Sequence, residues 1–326
     1  MAVTPGQSPD PEMSPDADNY YDHPVFHPDR LRLKTPALAK LQEDLTRMLW
    51  TGSTGGLITG PVRVGKTTAT RWISTELCTR DGISIPCYYI SVPPRDRRTV
   101  LSVFRHLCWS VGLRAANHDR ADHLSDRFVH YITDQAAARG CRSAVLIVDE
   151  MQRLTPLQFG PFAELHDRLR LLDILLTVFF VGNAQESSDL IEEIEQPHNA
   201  HIYGRFFTQR SSFLGLTNKR AVKSCLSQYD RLKYPDDGPT YTEHFLPEAV
   251  RGGWKFASLA GDLWSEFRGY QRAYHIESWG MQYFTVTVNT LLADFLPARG
   301  IDNFGEEMVR ECIAISGLVP ELVRPV

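Results

Sequence analysis

Residues Gly60-Pro61-Val62-Arg63-Val64-Gly65-Lys66-Thr67 follow the pattern G-x-x-x-x-G-K-[ST], and the chemistry this pattern serves is the holding of a polyphosphate. Gly60 and Gly65 let the backbone approach phosphate oxygens with no Cβ in the way. Main-chain N–H groups of the loop and the positive end of the helix behind it then face the same anion. Lys66 adds a mobile charge for the β- and γ-phosphates, and the Thr67 hydroxyl is a candidate Mg²⁺ ligand. Together with Thr68, these residues form the candidate site for ATP. The flanks give the context the motif needs. Gly56–Thr59 reads as the end of a short buried strand, and Thr67–Leu77 as a helix with Ala69, Trp72, Ile73 and Leu77 at helical spacing. A glycine-rich turn with an exposed lysine would have neither.

A second group with chemical meaning closes the run Ser143-Ala144-Val145-Leu146-Ile147-Val148-Asp149-Glu150. At the carboxyl end of an apolar strand, Asp149 is placed to hold Mg²⁺ beside Thr67, and Glu150 to polarise the water that attacks the γ-phosphate. The strand Ile174–Val181 ends at Gly182-Asn183. If that strand is central, Asn183 stands between the phosphate loop and Asp149 and could orient the water; otherwise Gly-Asn is a strand-ending turn. Arg205 and Arg210 precede a fifth short strand, Ser211–Leu216, and are open to either a phosphate-contacting or a salt-bridging role.

These residues need a frame to bring them together. Strands at 56–59, 86–92, 143–149, 174–181 and 211–216 alternate with helical patterns at 35–49, 67–77, 99–111 and 121–139. Nearly continuous apolar strands alternating with helices imply an α/β fold with a mostly parallel sheet covered on both faces. From Asn218 only helical patterns follow: 218–232, 246–251, 254–267, 286–295 and 304–316. The expected organisation is an acidic tail over 1–22, an α/β nucleotide-binding domain over 23–217, and a helical lid with C-terminal extension over 218–326.

The composition is that of a water-soluble globular chain, with 43% hydrophobic and 23% charged residues among 326. The longest apolar stretch, Ile174–Val181, is too short to span a bilayer, and the N-terminus lacks the basic-then-apolar order of a secretory signal. Six scattered cysteines with no C-x-x-C pair suggest reduced thiols in a cytoplasm. Net charge is −4, yet residues 1–22 carry five carboxylates and no Lys or Arg, so the remainder is near neutral. Any nucleic-acid surface must therefore be local. The densest basic cluster is Arg95, Arg97 and Arg98 after the second strand, with Arg114 and Arg120 further on. These arginines suit a phosphate-gripping patch on duplex DNA. They equally suit a solvated loop paired with Asp96 and Asp119.

Taken together, the phosphate loop, Asp149-Glu150, Asn183, Arg205 and a helical end containing Gly252-Gly253-Trp254-Lys255 resemble the AAA+ ATPases. The resemblance implies a five-stranded parallel sheet between helices followed by a helical lid. In its terms Gly60–Thr67 is Walker A and Asp149-Glu150 is Walker B. Asn183 is then sensor 1, and Arg205 the finger that reaches a neighbouring subunit's γ-phosphate, with Arg210 the other candidate. Lys255 would start the sensor-2 helix, where an arginine is usual. Within that family, the chain length, the run Asp149–Leu154 and the Arg-Phe element resemble the transposition regulators TnsC and TniB. That likeness implies an ATP-dependent ring or filament on target duplex DNA, in a bacterial cytoplasm and nucleoid. It would link a TniQ- or TnsD-like target-selection protein to a TnsB-like transposase, with a TnsA-like subunit as a further partner. A helicase or clamp loader and a nucleotide-dependent signalling switch are the rival readings. A small-molecule kinase is disfavoured by the Asp-Glu pair.

Overall fold

The computed structural model describes residues 21–27, 30–94 and 99–318. Their contacts divide the chain into two units. One, the α/β unit, holds Thr35–Thr217 with His275–Gln282; the other, helical, holds the described residues up to Lys34, Asn218–Tyr274 and those from Tyr283 onward. Relative to the expected boundaries, 23–34 falls with the helical unit and 275–282 with the α/β unit.

The α/β unit is built on five parallel strands: β1 (Gly55–Gly60), β2 (Cys87–Ser91), β3 (Ser143–Asp149), β4 (Leu175–Asn183) and β5 (Arg210–Ser212). Their order is β2-β3-β4-β1-β5, so β4 is central, between β3 and β1. Successive side chains on a strand face opposite ways, which explains the unbroken apolar runs. On β3, Ala144, Leu146 and Val148 join one buried layer with Phe104, Phe128 and Phe162. Val145 and Ile147 join the other with Leu45 and Ile73. β4 does the same, sending Val178 and Phe180 one way and Phe179 and Val181 the other.

The layer with Leu45 and Ile73 is closed by α1 (Pro36–Trp50) and α2 (Lys66–Ser74). Thr35 caps α1, its hydroxyl accepting from Leu38 N at 3.0 Å, and Pro36 takes the first helical position, where no N–H is needed. The opposite layer is closed by α3 (Val100–Ser110), α4 (Ala121–Ala138) and α5 (Gly160–Arg170). Further along, α6 (Ser188–Ile194) and α7 (Ala200–Phe206) lead into β5.

Two strands differ from expectation by more than one residue at an end. β4 runs two residues further, so Asn183 is the last strand residue rather than part of a turn. β5 is only three residues long: Phe213 N still donates to Thr59 O at 2.7 Å, but Leu216 pairs antiparallel with Trp279 and leaves the sheet.

In the helical unit, α8 (Lys219–Tyr229) is capped by the Asn218 side chain. Short helices α9 (Tyr241–Phe245) and α10 (Pro247–Arg251) follow, then α11 (Ala260–Tyr274). The expected helix from Trp254 therefore begins only at Ala260, after a 3-10 turn over Phe256–Leu259. Asp230 fixes that turn by accepting from Phe256 N at 2.9 Å and Ala257 N at 3.1 Å. No helix among the described residues is long and apolar enough to cross a membrane.

Candidate active site

The phosphate loop lies between β1 and α2, beside the centre of the sheet. Its floor is tight, because a Cβ on Gly60 would stand 2.0 Å from the Phe213 carbonyl oxygen. Gly65, at φ +95°, makes the left-handed turn that starts α2. Arg63 also has positive φ, 58°, a conformation that L-residues adopt at some cost. Lys66 opens the helix, and its ammonium donates to the carbonyls of Gly60 at 2.9 Å and Pro61 at 2.6 Å. Burial lowers its pKa, while the carboxylates of Asp149, Glu150 and Glu186 act in the opposite direction. Such a cation is poised to exchange carbonyl partners for phosphate oxygens.

β3 brings its tip to the same place. The Thr67 hydroxyl donates to Asp149 Oδ2 at 2.7 Å, joining the start of α2 to the tip of β3 across 82 residues. Glu150 then takes a left-handed conformation (φ 60°, ψ 41°), and its N–H donates to Asp149 Oδ1 at 2.9 Å. Asn183 is in register with Gly60, which puts the sensor-1 candidate at the tip of the strand next to the phosphate loop. Its amide donates to Glu186 Oε1 at 2.9 Å, and its Oδ1 accepts from Gln185 N at 3.0 Å.

Four residues in this network were not singled out from the sequence. Tyr89, on β2, donates its hydroxyl to Asp149 Oδ2, and the Arg71 guanidinium lies 4.5 Å from the centre of its ring. Burial first, and then that bond to Asp149, raise the phenol pKa. Gln152 Nε2 donates to Glu150 at 2.7 Å and to Glu186 at 3.1 Å, so Glu150 and Asn183 belong to one chain of hydrogen bonds. Arg153 pairs with Glu150 at 3.3 Å and donates to Val92 O at 2.8 Å. Only Gln152 and Arg153 carried a sequence signal, their adjacency to Asp149-Glu150. The partnerships of Tyr89 and Glu186 depend on strand pairing.

Arg205 and Arg210 have partners outside this cluster. Arg205, on α7, pairs with Asp167 at 2.7 Å, and that guanidinium holds the Asp167 carboxyl below the usual range. Arg210 pairs with Glu195 at 2.5 Å and enters β5 in register with Leu57. Lys255 is exposed at the start of the 3-10 turn in the helical unit, not on a helix. Arg114 and Arg120 are exposed on the connection between α3 and α4. That connection is pinned by Asp119, which takes Arg127 at 2.8 Å and Ala116 N at 2.8 Å. Asp119 is thus engaged by Arg127, not by Arg114 or Arg120. Arg95, Arg97 and Arg98, like most of the acidic 1–22 segment, lie outside the described residues.

Residues 51–191 match the family model of an AAA domain. The α/β unit has the AAA+ fold. Among solved structures, this chain is similar to Drosophila ORC bound to DNA, with a TM-score of 0.52 and 14% identity over 89% of this chain and 71% of that one. It is also similar to the ORC1 protein of Aeropyrum pernix in complex with DNA (TM-score 0.44, 18% identity, 90% and 68% covered). Cdc6p from Pyrobaculum aerophilum aligns with a TM-score of 0.44 and 16% identity, over 93% and 85%. At these identities the likeness is one of fold. No curated protein matches the chain significantly.

The donor set of this site fits a nucleotide with Mg²⁺. The Thr67 hydroxyl and the Asp149 carboxylate are hard oxygen donors 2.7 Å apart, and Lys66 is a desolvated cation directly preceding Thr67.

Proposed function

We propose that this protein is an AAA+ ATPase that couples ATP binding and hydrolysis to assembly on duplex DNA. The observation that carries the reading is the Thr67–Asp149 contact at 2.7 Å, with Glu150 next in the chain and Lys66 opening the same helix. Lys66 would hold the phosphates, and Glu150 would take the proton from the water attacking the γ-phosphorus as the bond to the β-phosphate oxygen breaks. Mg²⁺, held by Thr67 and Asp149, would supply charge neutralisation of the phosphates. Asn183 lies one hydrogen-bonded chain away from Glu150, as suits a residue that senses or orients the reacting group.

The finer reading is a transposition regulator resembling TnsC and TniB, bridging a target-selection protein and a transposase. Its support is the combination of a site built for hydrolysis with exposed Arg114 and Arg120 on a rigidly pinned connection. Arg205 in trans would complete a neighbouring site, with Arg210 as the alternative.

The test is duplex-DNA binding and assembly size with ATP, ADP and no nucleotide, for wild type and Glu150→Gln. ATP-dependent oligomers on DNA that Glu150→Gln traps would support the reading. Hydrolysis should fall by roughly 10²–10⁴ in that variant while nucleotide binding persists. A protein that binds ATP and never DNA would refute the DNA role and leave a nucleotide switch.

A further inference from the structure

The helical unit carries a basic face that neither the motifs nor the nucleotide site accounts for. Arg220, Lys223, Ser227 and Arg231 recur at helical spacing along α8 and the turn after it, with Lys219 at the N-terminal end. All four cations are exposed. The buried side of the same helix is apolar, with Val222, Cys225, Leu226 and Tyr229. Gln228 clasps an extended segment against the helix, donating to Lys34 O and accepting from Lys34 N, both at 2.8 Å. In that segment Leu31 and Leu33 are buried, so alternation turns Arg32 outward beside the stripe.

Ion pairs among the described residues engage only some of this unit's cations. Arg30 is bound to Asp22, Arg299 to Glu311, and Arg310 to Glu266 and Glu306. No ion pair among the described residues involves Arg32, Lys219, Arg220, Lys223 or Arg231. α8 itself contains no acidic residue, and the first one after it, Asp230, is turned away to hold Thr242, Phe256 and Ala257. Lys219 and Arg220 each stand within one helical turn of Lys223; repulsion between such exposed cations is weak in water, and a row of phosphates would relieve it.

We infer that this face binds the phosphate backbone of duplex DNA, as a second contact separate from the α3–α4 connection. The inference rests on the DNA role proposed above. Side chains three and four residues apart stand about 5–6 Å from one another, so several can meet neighbouring phosphates of one strand. No base-reading geometry is required, and the contact is sequence-independent.

The test compares wild type with the triple variant Arg220→Ala, Lys223→Ala and Arg231→Ala in duplex binding across a salt series with ATP. Three lost phosphate contacts should reduce the slope of log K against log salt by about 3 and weaken binding about tenfold or more at moderate salt. Hydrolysis without DNA and the thermal midpoint should not change, since none of the three belongs to the nucleotide site or the core. A variant that binds with the wild-type affinity and slope would overturn the assignment and leave the DNA role to Arg114 and Arg120. A wild type that binds no duplex in any nucleotide state would overturn both. A synthetic peptide of residues 1–20 is the third arm. If it binds wild type but not the variant while DNA affinity is equal in the two, the face belongs to the chain's own acidic segment and the assignment falls.

Discussion

Thr67 and Tyr89 donate their hydroxyls to the same oxygen of Asp149, Oδ2. One donor comes from the phosphate loop's helix and the other from the neighbouring strand, so the carboxylate is fixed from two directions. Were Thr67 to turn to a metal ion, Tyr89 would still hold Asp149 in place.

Tyr89→Phe therefore should weaken Mg²⁺-dependent nucleotide binding and leave metal-free binding alone. A hydrogen bond to a charged group contributes about 1.5–3 kcal/mol, so the Mg²⁺ midpoint should rise by roughly ten- to a hundredfold. Titrating a fluorescent nucleotide against Mg²⁺ measures it. An unchanged midpoint would mean that Thr67 and strand pairing alone position the carboxylate.

Arg205 and Arg210 both sit in ion pairs within the chain, so each must break one to reach a neighbour. Arg205→Ala should cut hydrolysis by about 10³-fold or more while sparing ATP binding, and Arg210→Ala should leave turnover near wild type. If the finger acts in trans, Arg205→Ala mixed with a Lys66→Ala chain should regain part of the activity. Steady-state turnover of the two single variants and the mixture decides between them. The opposite ranking would move the finger to Arg210.

His23 is buried in the helical unit, stacked 4.6 Å from His244 and edge-on to Tyr241 and Phe245. Burial, and then the neighbouring His244, lower its pKa from 6.5 to about 4. The unfolded chain thus takes up this proton at a higher pH than the folded one. The stability that neutral His23 contributes is complete above about 6.5 and declines as pH falls towards about 4. Burial depresses His244 as well, with the same sign. Urea midpoints from pH 7 to pH 4 should fall, and His23→Phe should flatten part of that slope. Parallel slopes in the two proteins would show that His23 is not the titrating group.

Phe180, on the central strand, is enclosed by Phe159, Phe162 and Phe206 with ring centroids 4.9–5.4 Å away. Phe180→Ala should destabilise the protein by about 3–5 kcal/mol, because the surrounding rings belong to different elements and close the cavity only in part. Denaturant unfolding measures it. A loss below about 1 kcal/mol would mean the aromatic cluster repacks freely.

The sequence made the phosphate loop and four strands readable because each combines a short apolar run with a chemically specific end. Asp149 and Asn183 are legible as strand tips for that reason. β5 is shorter than its apolar run implies, because after three residues the continuation pairs with Trp279 instead of β1. The helix α9 was missed although Thr240 and Glu243 form a reciprocal cap visible as T-x-x-E. The chain Glu150–Gln152–Glu186–Asn183 lay beyond reach, since its members meet only when β3 and β4 stand side by side. Lys255 was placed on a helix because the glycines before it look like a boundary; the boundary is followed by a 3-10 turn that Asp230 holds.

The close approach of Gly60 to Phe213 bears on how the molecule can be divided. A fragment trimmed to 51–191 keeps every Walker residue and discards both α1 and β5. β1 would then have a bare edge, its N–H and C=O groups open to a strand from another chain. The face carrying Ile58 would also lose Leu38, Leu41 and Leu45. The smallest piece that could be expressed as a soluble nucleotide binder accordingly reaches back to Thr35 and forward past Phe213. The portion that defines the motif is smaller than the portion that folds.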